Sequence, residues 1–422
     1  MSHRPNSGVR PLAGVGLYFG CNGLVFAALL PWYPLLVERL GLNSWEFGLV
    51  VASFALGAIV SSVAPAHLIS RFGANTVVIG GTVLLGLSAA ATAWSVNGLM
   101  MAVCLFFVGF FDAIVDVAQN VVGIGVQESQ SRVILSSMHA LWSLGGLVSG
   151  AAATVAAANG MDMRAYLGLI MVVSIIVIML ARRLVGDADA RSHPENSGGA
   201  DDTGADHGAE AGVVEGAEAS ADASETAGAK RPSSKRAILL MALPLAVVAI
   251  CGTAVEDIAN NWSAIAAVEF GGVPVATAGI AFSVVIGSQC LGRFSGDLLV
   301  QRFGSGRIAR LGGGLIAVGG IGVVAATEPV LLLAGLALMG YGSATLVPGA
   351  LGAAAHIPGV GRAGGVTLVN WIMRVGYLGT SPLVGIIASI GSLRWGLSLL
   401  IVIGAVTMIF AGRLGTVPRR SD

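Results

Sequence analysis

The chain reads as an all-α membrane protein of twelve transmembrane helices arranged in two pseudo-symmetric six-helix bundles. Three observations lead there: twelve stretches of about twenty mostly apolar residues, a long acidic, glycine-rich interruption that divides them six and six, and a short motif that recurs in the same slot of each half. A hydrocarbon core about 30 Å thick is crossed by about 20 helical residues rising 1.5 Å each. Runs such as 77–93, 166–180 and 330–346 meet that length without a charged residue.

Composition agrees. With 55% hydrophobic and 11% charged residues, the chain has too little polar surface to clothe a water-soluble body of this size. Its zero net charge hides a segregation: eleven of the 23 acidic residues fall in the interruption, so the few carboxylates left in the apolar stretches stand out. Cys21, Cys104, Cys251 and Cys290 each sit in an apolar run with no metal-ligand or redox spacing, and they read as small buried hydrophobes. The first apolar run, 12–30, is too long for a cleavable signal and is expected to act as its own uncleaved insertion signal.

Taken in order, the expected spans are 12–36, 45–67, 75–94, 98–124, 133–158 and 164–182 in the first half, then 237–262, 275–298, 307–326, 329–353, 363–388 and 393–412 in the second. The domains follow: 1–183, a linker at 184–236, and 237–422. The linker is mainly Ala, Gly, Asp, Glu and Ser, which cannot bury enough surface to offset ordering entropy, so it is expected to be disordered and cytoplasmic. Its basic end, Lys230, Arg231, Lys235 and Arg236, would lie at the anionic leaflet. With both termini in the cytoplasm, eighteen Lys and Arg fall inside and only Arg39, Arg164 and Arg394 outside, while Arg293 and Arg374 lie within spans.

The halves echo each other at an offset of 231 residues. Leu68 to Gly73, reading LISRFG, returns as Leu299 to Gly304, reading LVQRFG, and the same offset carries Gly48 onto Gly279, Gly109 onto Gly340 and Gly145 onto Gly376. Parallel six-helix repeats joined by a long loop are how transporters with a midplane site are organised.

An ionisable group inside a span costs at least a few kcal/mol, so it must face water, a partner or a substrate. Asp112 and Asp116 lie one turn apart on span 4, where mutual repulsion and desolvation oppose double ionisation. Proton coupling is one reading; a structural acid bonded to Arg374, His139 or a backbone group is the other. His139 in span 5 sits at a depth that would allow a bond to Asp116. Glu256 and Asn260 share a face at what reads as the outer end of span 7, with Trp262 beside them, and are expected to meet a polar solute; Asp257 is assigned to the outer interface. Arg374, with Asn370 one turn before it in span 11, must pair with a span acid such as Asp112 or hold a substrate anion. Trp32, Tyr33, Trp142 and Trp371 could wall a cavity.

These features resemble the major facilitator superfamily over essentially the whole chain. The superfamily's loop between spans 2 and 3, Gly-x-Leu-x-Asp-Arg-x-Gly, appears here as AHLISRFG, which keeps Arg71 and Gly73 and lacks the first glycine and the aspartate. In the second half GRFSGD, with Arg293 and Asp297 a turn apart and able to pair, is followed by Arg302. The resemblance implies gating or structural roles for Arg71, Arg293, Asp297 and Arg302. Within the superfamily the chain looks like the fucose permease-like branch, whose span 4 carries an acid four residues before an asparagine, as Asp116 and Asn120 do here; HALWSLGG, with Trp142, has the look of that branch's span 5. Where the fucose permease has a carboxylate in span 1, this chain offers Asn22. Span 5 also lacks the Gly-Pro pair common in proton-antiporting exporters, which favours uptake.

The expected activity is proton-coupled uptake of a small polar solute, a sugar or an organic acid, by alternating access in the plasma membrane. The substrate set would comprise Asn22, Asn120, Trp142, Glu256, Asn260, Asn370 and Arg374, and the proton path Asp116, Asp112 and His139. Export of amphipathic compounds and solute sensing without transport are the competing readings. No phosphate-cradling loop, metal cluster or nucleophile triad is present, so no cofactor, metal or enzymatic activity is expected. The expected partners are the solute, protons and the lipid bilayer; the chain is expected to be a monomer, with no nucleic-acid partner.

Overall fold

The computed structural model describes residues 9–130, 134–186, 235–357 and 362–415. The linker expected at 184–236 lies outside the described residues except at its edges. Among the described residues there is no strand, and twelve helical stretches are long and apolar enough to cross a membrane. They are numbered here in order: span 1 Val9–Leu40, span 2 Ser44–Phe72, span 3 Ala74–Trp94, span 4 Gly98–Gln127, span 5 Ser137–Ala158 and span 6 Met163–Val185. Then come span 7 Ile238–Glu269, span 8 Val275–Gly296, span 9 Ser305–Ala325, span 10 Pro329–Ala354, span 11 Leu368–Ile390 and span 12 Leu393–Leu414.

Local chemistry sets many of the ends. Asn43 opens span 2 with a capping box, its side chain accepting from the Glu46 amide and its own amide donating to the Glu46 carboxylate, both at 2.9 Å. Asp162 caps span 6 by accepting from the Arg164 amide at 2.8 Å. The repeated RFG motif ends in glycines of nearly identical conformation, φ 79° and ψ 146° at Gly73 against φ 86° and ψ 147° at Gly304. A side chain is strained in that region, so the turn requires glycine. Arg71 and Arg302 each lie 5.3 Å over the ring of the following Phe, so the motif has the same shape twice.

The repeat extends to packing. Span 1 packs on span 5 and span 2 on span 4; their counterparts pair as 7 with 11 and 8 with 10. A Cβ on Gly109 would meet the Phe54 carbonyl oxygen at 2.0 Å, and one on Gly340 would meet the oxygen of Val285, the residue 231 positions on from Phe54, at 2.8 Å. A Cβ on Gly145 would come as close to the span 1 backbone, 2.1 Å from the Gly20 oxygen, and one on Gly376 would meet the Ile250 side chain of span 7. Small residues here let helices approach where no hydrophobic force drives them together in lipid.

The halves meet through span 2 against span 11 and span 5 against span 8. We call the side of Val9 and Leu414 the terminal face. The glycines that pack across this boundary, among the described residues, lie near the middle of the spans or toward the opposite face: a Cβ on Gly48 would lie 2.6 Å from the Ser381 oxygen, and one on Gly385 2.5 Å from the Ser44 oxygen. There Tyr33, Phe47 and Trp262 stack edge to face from span 1 through span 2 to span 7, at 5.4 and 5.1 Å between centroids. The molecule is plugged on that side.

One boundary differs from the sequence expectation in a way that matters. Span 7 does not end at Trp262; its helix runs on through Ser263–Glu269, a strongly helix-forming, mostly apolar segment. The polar cluster read as a helix end therefore lies inside the bundle, where Asp257 and Trp262 are buried.

Helix contact through the paired glycines leads to an expected outcome. Gly145→Ala and Gly376→Ala should each destabilise by about 1–3 kcal/mol through overpacking, whereas Gly80→Ala, with open space around its Cβ, should be neutral or stabilising by up to about 1 kcal/mol. Thermal unfolding of the purified proteins in one detergent would check the contrast.

Candidate functional site

Glycines on span 1 decide how the first cluster forms. Gly20 and Gly23 flank Asn22, and a Cβ on Gly23 would lie 2.0 Å from the Trp142 carbonyl oxygen, so span 5 comes in at backbone distance. That approach places the Trp142 indole, which donates to Asn22 Oδ1 at 2.6 Å, while Asn22 Nδ2 donates to Asp112 Oδ1 at 3.0 Å. Spans 1, 4 and 5 are thus joined through one buried amide, and a charge-assisted bond of this kind is worth about 1.5–3 kcal/mol. Asn22, Trp142 and Asp112, chosen separately from the sequence, form one network.

Asp116 is held locally. Its carboxylate accepts from Gln119 Nε2 and Asn120 Nδ2, each at 3.2 Å, and the Asn120 amide also donates to the Asp116 carbonyl at 2.8 Å. Asn120 therefore orients the acid. The bond expected between His139 and Asp116 is not formed: His139 is exposed and its ring packs edge-on against Phe19 at 5.2 Å. Asp116 finds its donors one turn along its own helix instead.

Between the halves lies a cavity of about 160 Å³ lined by Ala55, Ala58 and Ile59 of span 2, Asp112, Ala113 and Asp116 of span 4, and Arg374 and Tyr377 of span 11. Both carboxylates and the guanidinium thus face one chamber, with one wall from each half. Arg374 makes no ion pair with any described carboxylate; Asp112 is engaged by Asn22 instead. Tyr377 follows Arg374 by three residues and shares its helix face, a spacing that could have singled it out from the sequence.

The second half carries its own pair. Arg293 Nη2 donates to Glu256 Oε1 at 2.9 Å, and Gln289, one turn before Arg293, donates to the same oxygen at 3.3 Å. Arg293 Nη1 crosses the boundary to Ser143 Oγ on span 5 at 2.5 Å. The pairing expected of Arg293 with Asp297 falls on a side chain outside the described residues. Arg293 is a tie within and between the halves, and Glu256 is its counter-ion. Ser143 and Gln289 were not singled out in the sequence, because an uncharged side chain in a span carries no cost that demands explanation.

The reading of Asp257 as an interface residue is corrected. Rather than marking an interface, Asp257 is buried and accepts from Ser381 Oγ at 2.5 Å and from Asn261 Nδ2 at 2.8 Å, while Trp262 Nε1 donates to the same serine at 3.2 Å. The carboxylate pins span 7 to span 11 just under the plug. Asn260 and Asn370 are half-buried on the faces of Glu256 and Arg374 but do not line the 160 Å³ cavity. Trp32 and Tyr33 are buried, whereas Trp371 is exposed and is not among the residues that line the 160 Å³ cavity. Arg71 and Arg302 lie in the exposed turns at the terminal face, far along their helices from the cavity.

Comparison with known proteins places this geometry in a family. The profile of the Major Facilitator Superfamily matches residues 15–326. An uncharacterized MFS-type transporter of Yersinia pestis is 23% identical over 395 residues, 92% of this chain and 91% of that protein. Among solved structures, the nucleoside transporter NupG superposes with a TM-score of 0.66 at 10% identity, covering 97% of this chain and 98% of that one. FucP, in its outward conformation, superposes with a TM-score of 0.56 at 16% identity, covering 98% and 100%.

The Arg293 and Glu256 side chains are about three-quarters buried, at 25% and 28% exposure. Their coupling should therefore fall between that of exposed and fully buried pairs. A double-mutant cycle with Glu256→Gln and Arg293→Gln should return an interaction of about 1–2 kcal/mol, measured by thermal unfolding, and a value near zero would show the pair to be incidental.

Proposed function

The chain belongs to the major facilitator superfamily, and as an integral membrane protein and secondary transporter it is, we propose, a proton-coupled importer of a small polar solute that bears an anionic group. The observation that carries this reading is the single chamber faced by Asp112 and Asp116 from one half and by Arg374 from the other. A guanidinium without a carboxylate partner at that depth is costly unless water or an anion meets it, and the acid beside it has its own donor in Asn22. Of the two roles open to Arg374, anion binding is favoured over a latch with Asp112. An organic acid fits this site better than a neutral sugar.

The arrangement corresponds to an inward-facing carrier if the termini are cytoplasmic, as the Lys and Arg distribution implies. The plug of Tyr33, Phe47 and Trp262 then closes the outer side. In transport the halves would rock about the chamber, parting at the plug and closing at the terminal face. Solute binding bridges Arg374 to the span 4 wall. A proton on Asp116 or Asp112 reduces the negative charge facing the solute, so proton and anion favour each other's binding in the same chamber. A proton would pass between the chamber and the terminal face by way of His139, near that end of span 5, and Arg293 with Ser143 would hold the halves in register.

A thermal-shift screen of organic acids and sugars on purified protein should first identify a ligand. In proteoliposomes with an imposed pH gradient, Asp116→Asn should abolish accumulation of that ligand while sparing counterflow exchange; accumulation at the unaltered rate defeats the coupling role. Arg374→Ala should weaken ligand binding by tenfold or more, equivalent to about 1.4 kcal/mol, with Arg374→Lys recovering part of it. Full rescue of Arg374→Ala by Asp112→Ala would instead assign the arginine to a latch.

A further inference from the structure

The internal repeat exposes a vacancy in the second half that the first half fills with its own side chains. Between spans 8, 9 and 10 lies a crevice of about 210 Å³ whose lining includes Gly292, Gly296, Phe303, Leu315, Gly342 and Thr345. At 231 residues earlier the corresponding positions are Ser61, Pro65, Phe72, Leu84, Phe111 and Ile114. Four of the six are bulkier in the first half. Pro65 and Ile114 are buried there, and Phe111 packs against the core of that bundle. The second half puts Gly296, Thr345 and Gly342 in those places, and span 10 breaks beside them, between Ser343 and Leu346. The space is therefore a departure from the repeat rather than a general looseness of packing.

The walls say what could occupy it. They are almost wholly apolar, and the polar group of Tyr341 is already engaged, its hydroxyl 2.8 Å from Ser295 Oγ. One flank is open to the membrane: Leu311 is 65% exposed and Phe303 44%. Hydrocarbon fits such a slot, since an empty one forfeits dispersion contacts on every wall. The terminal-face mouth is cationic. The Arg302 guanidinium lies over Phe303, which lines the crevice, and the exposed Arg307 directly precedes Ile308, another lining residue. Arg307 stands where the first half has Thr76, so the second cation and the vacancy occur together.

We propose that this crevice is a phospholipid site, taking one acyl chain of an anionic lipid between spans 8, 9 and 10 with its phosphate against Arg302 and Arg307. Basic groups at the end of an apolar slot at headgroup depth supply both halves of that recognition. The site is separate from the 160 Å³ chamber and does not depend on what the chamber carries.

Native mass spectrometry of the full-length protein in mild detergent tests it, with phosphatidylglycerol or phosphatidylcholine of identical chains added. One phosphatidylglycerol should be retained in preference to phosphatidylcholine. The double variant Arg302→Gln, Arg307→Gln should bind it roughly 25-fold more weakly, at about fivefold per arginine, whereas Arg71→Gln in the first half should leave binding unchanged. Leu315→Trp, which fills the slot, should displace the lipid; if that variant does not fold, the arginine variants and the choice between lipids decide. Equal retention of the two lipids by the unaltered protein, or undiminished phosphatidylglycerol on the double variant, would overturn the assignment.

Discussion

Everything in this structure follows from how few ionisable groups the spans carry and how each is answered. In hydrocarbon an unanswered charge costs several kcal/mol, and here each acid of the central region has donors of its own. Asp112 has Asn22, Asp116 has Gln119 and Asn120, Asp257 has Ser381 and Asn261, and Glu256 has Arg293 and Gln289. Arg374 is the exception among these groups, and it faces a cavity rather than lipid. The functional reading rests on that asymmetry between satisfied acids and an unsatisfied base.

Two layers of design are superimposed. The glycine contacts and the RFG turns obey the internal repeat closely, because backbone approach and turn conformation are geometric demands that both six-helix halves share. The polar groups ignore it: at an offset of 231, Asp112 falls on Ser343, Asp116 on Val347 and Arg374 on Ser143. Chemistry has been placed on a symmetric frame asymmetrically, with two acids in the first half facing a cation in the second. Ser143 keeps a part in this all the same, as the acceptor for the Arg293 tie.

The stacked Tyr33, Phe47 and Trp262 and the close packing at Gly48 and Gly385 concentrate the contact between halves on one side of the chamber. Asp257 lies directly beneath, fastening span 7 to span 11 through Ser381, the residue whose carbonyl meets Gly48. A movement that parts the plug must therefore separate span 11 from span 2 while keeping spans 7 and 11 together, which is how rigid halves rock about a shared site.

The sequence by itself determined the twelve spans, their division into six and six, the repeat and the few residues whose charge needed an explanation, because hydrophobic length and the cost of burying charge are properties of short segments. It also paired Asp112 with Arg374 in depth, which the shared cavity matches. Who bonds to whom was decided only by the tertiary structure. The continuation of span 7 to Glu269 moved Asp257 from an interface to the interior, the approach of spans 1 and 5 at Gly23 joined Asn22 to Trp142, and the meeting of spans 5, 7 and 8 brought Arg293 to Glu256 and Ser143. The physical reason is reach: a hydrogen bond needs partners within about 3 Å, and for residues far apart in the chain that distance is set by how helices cross.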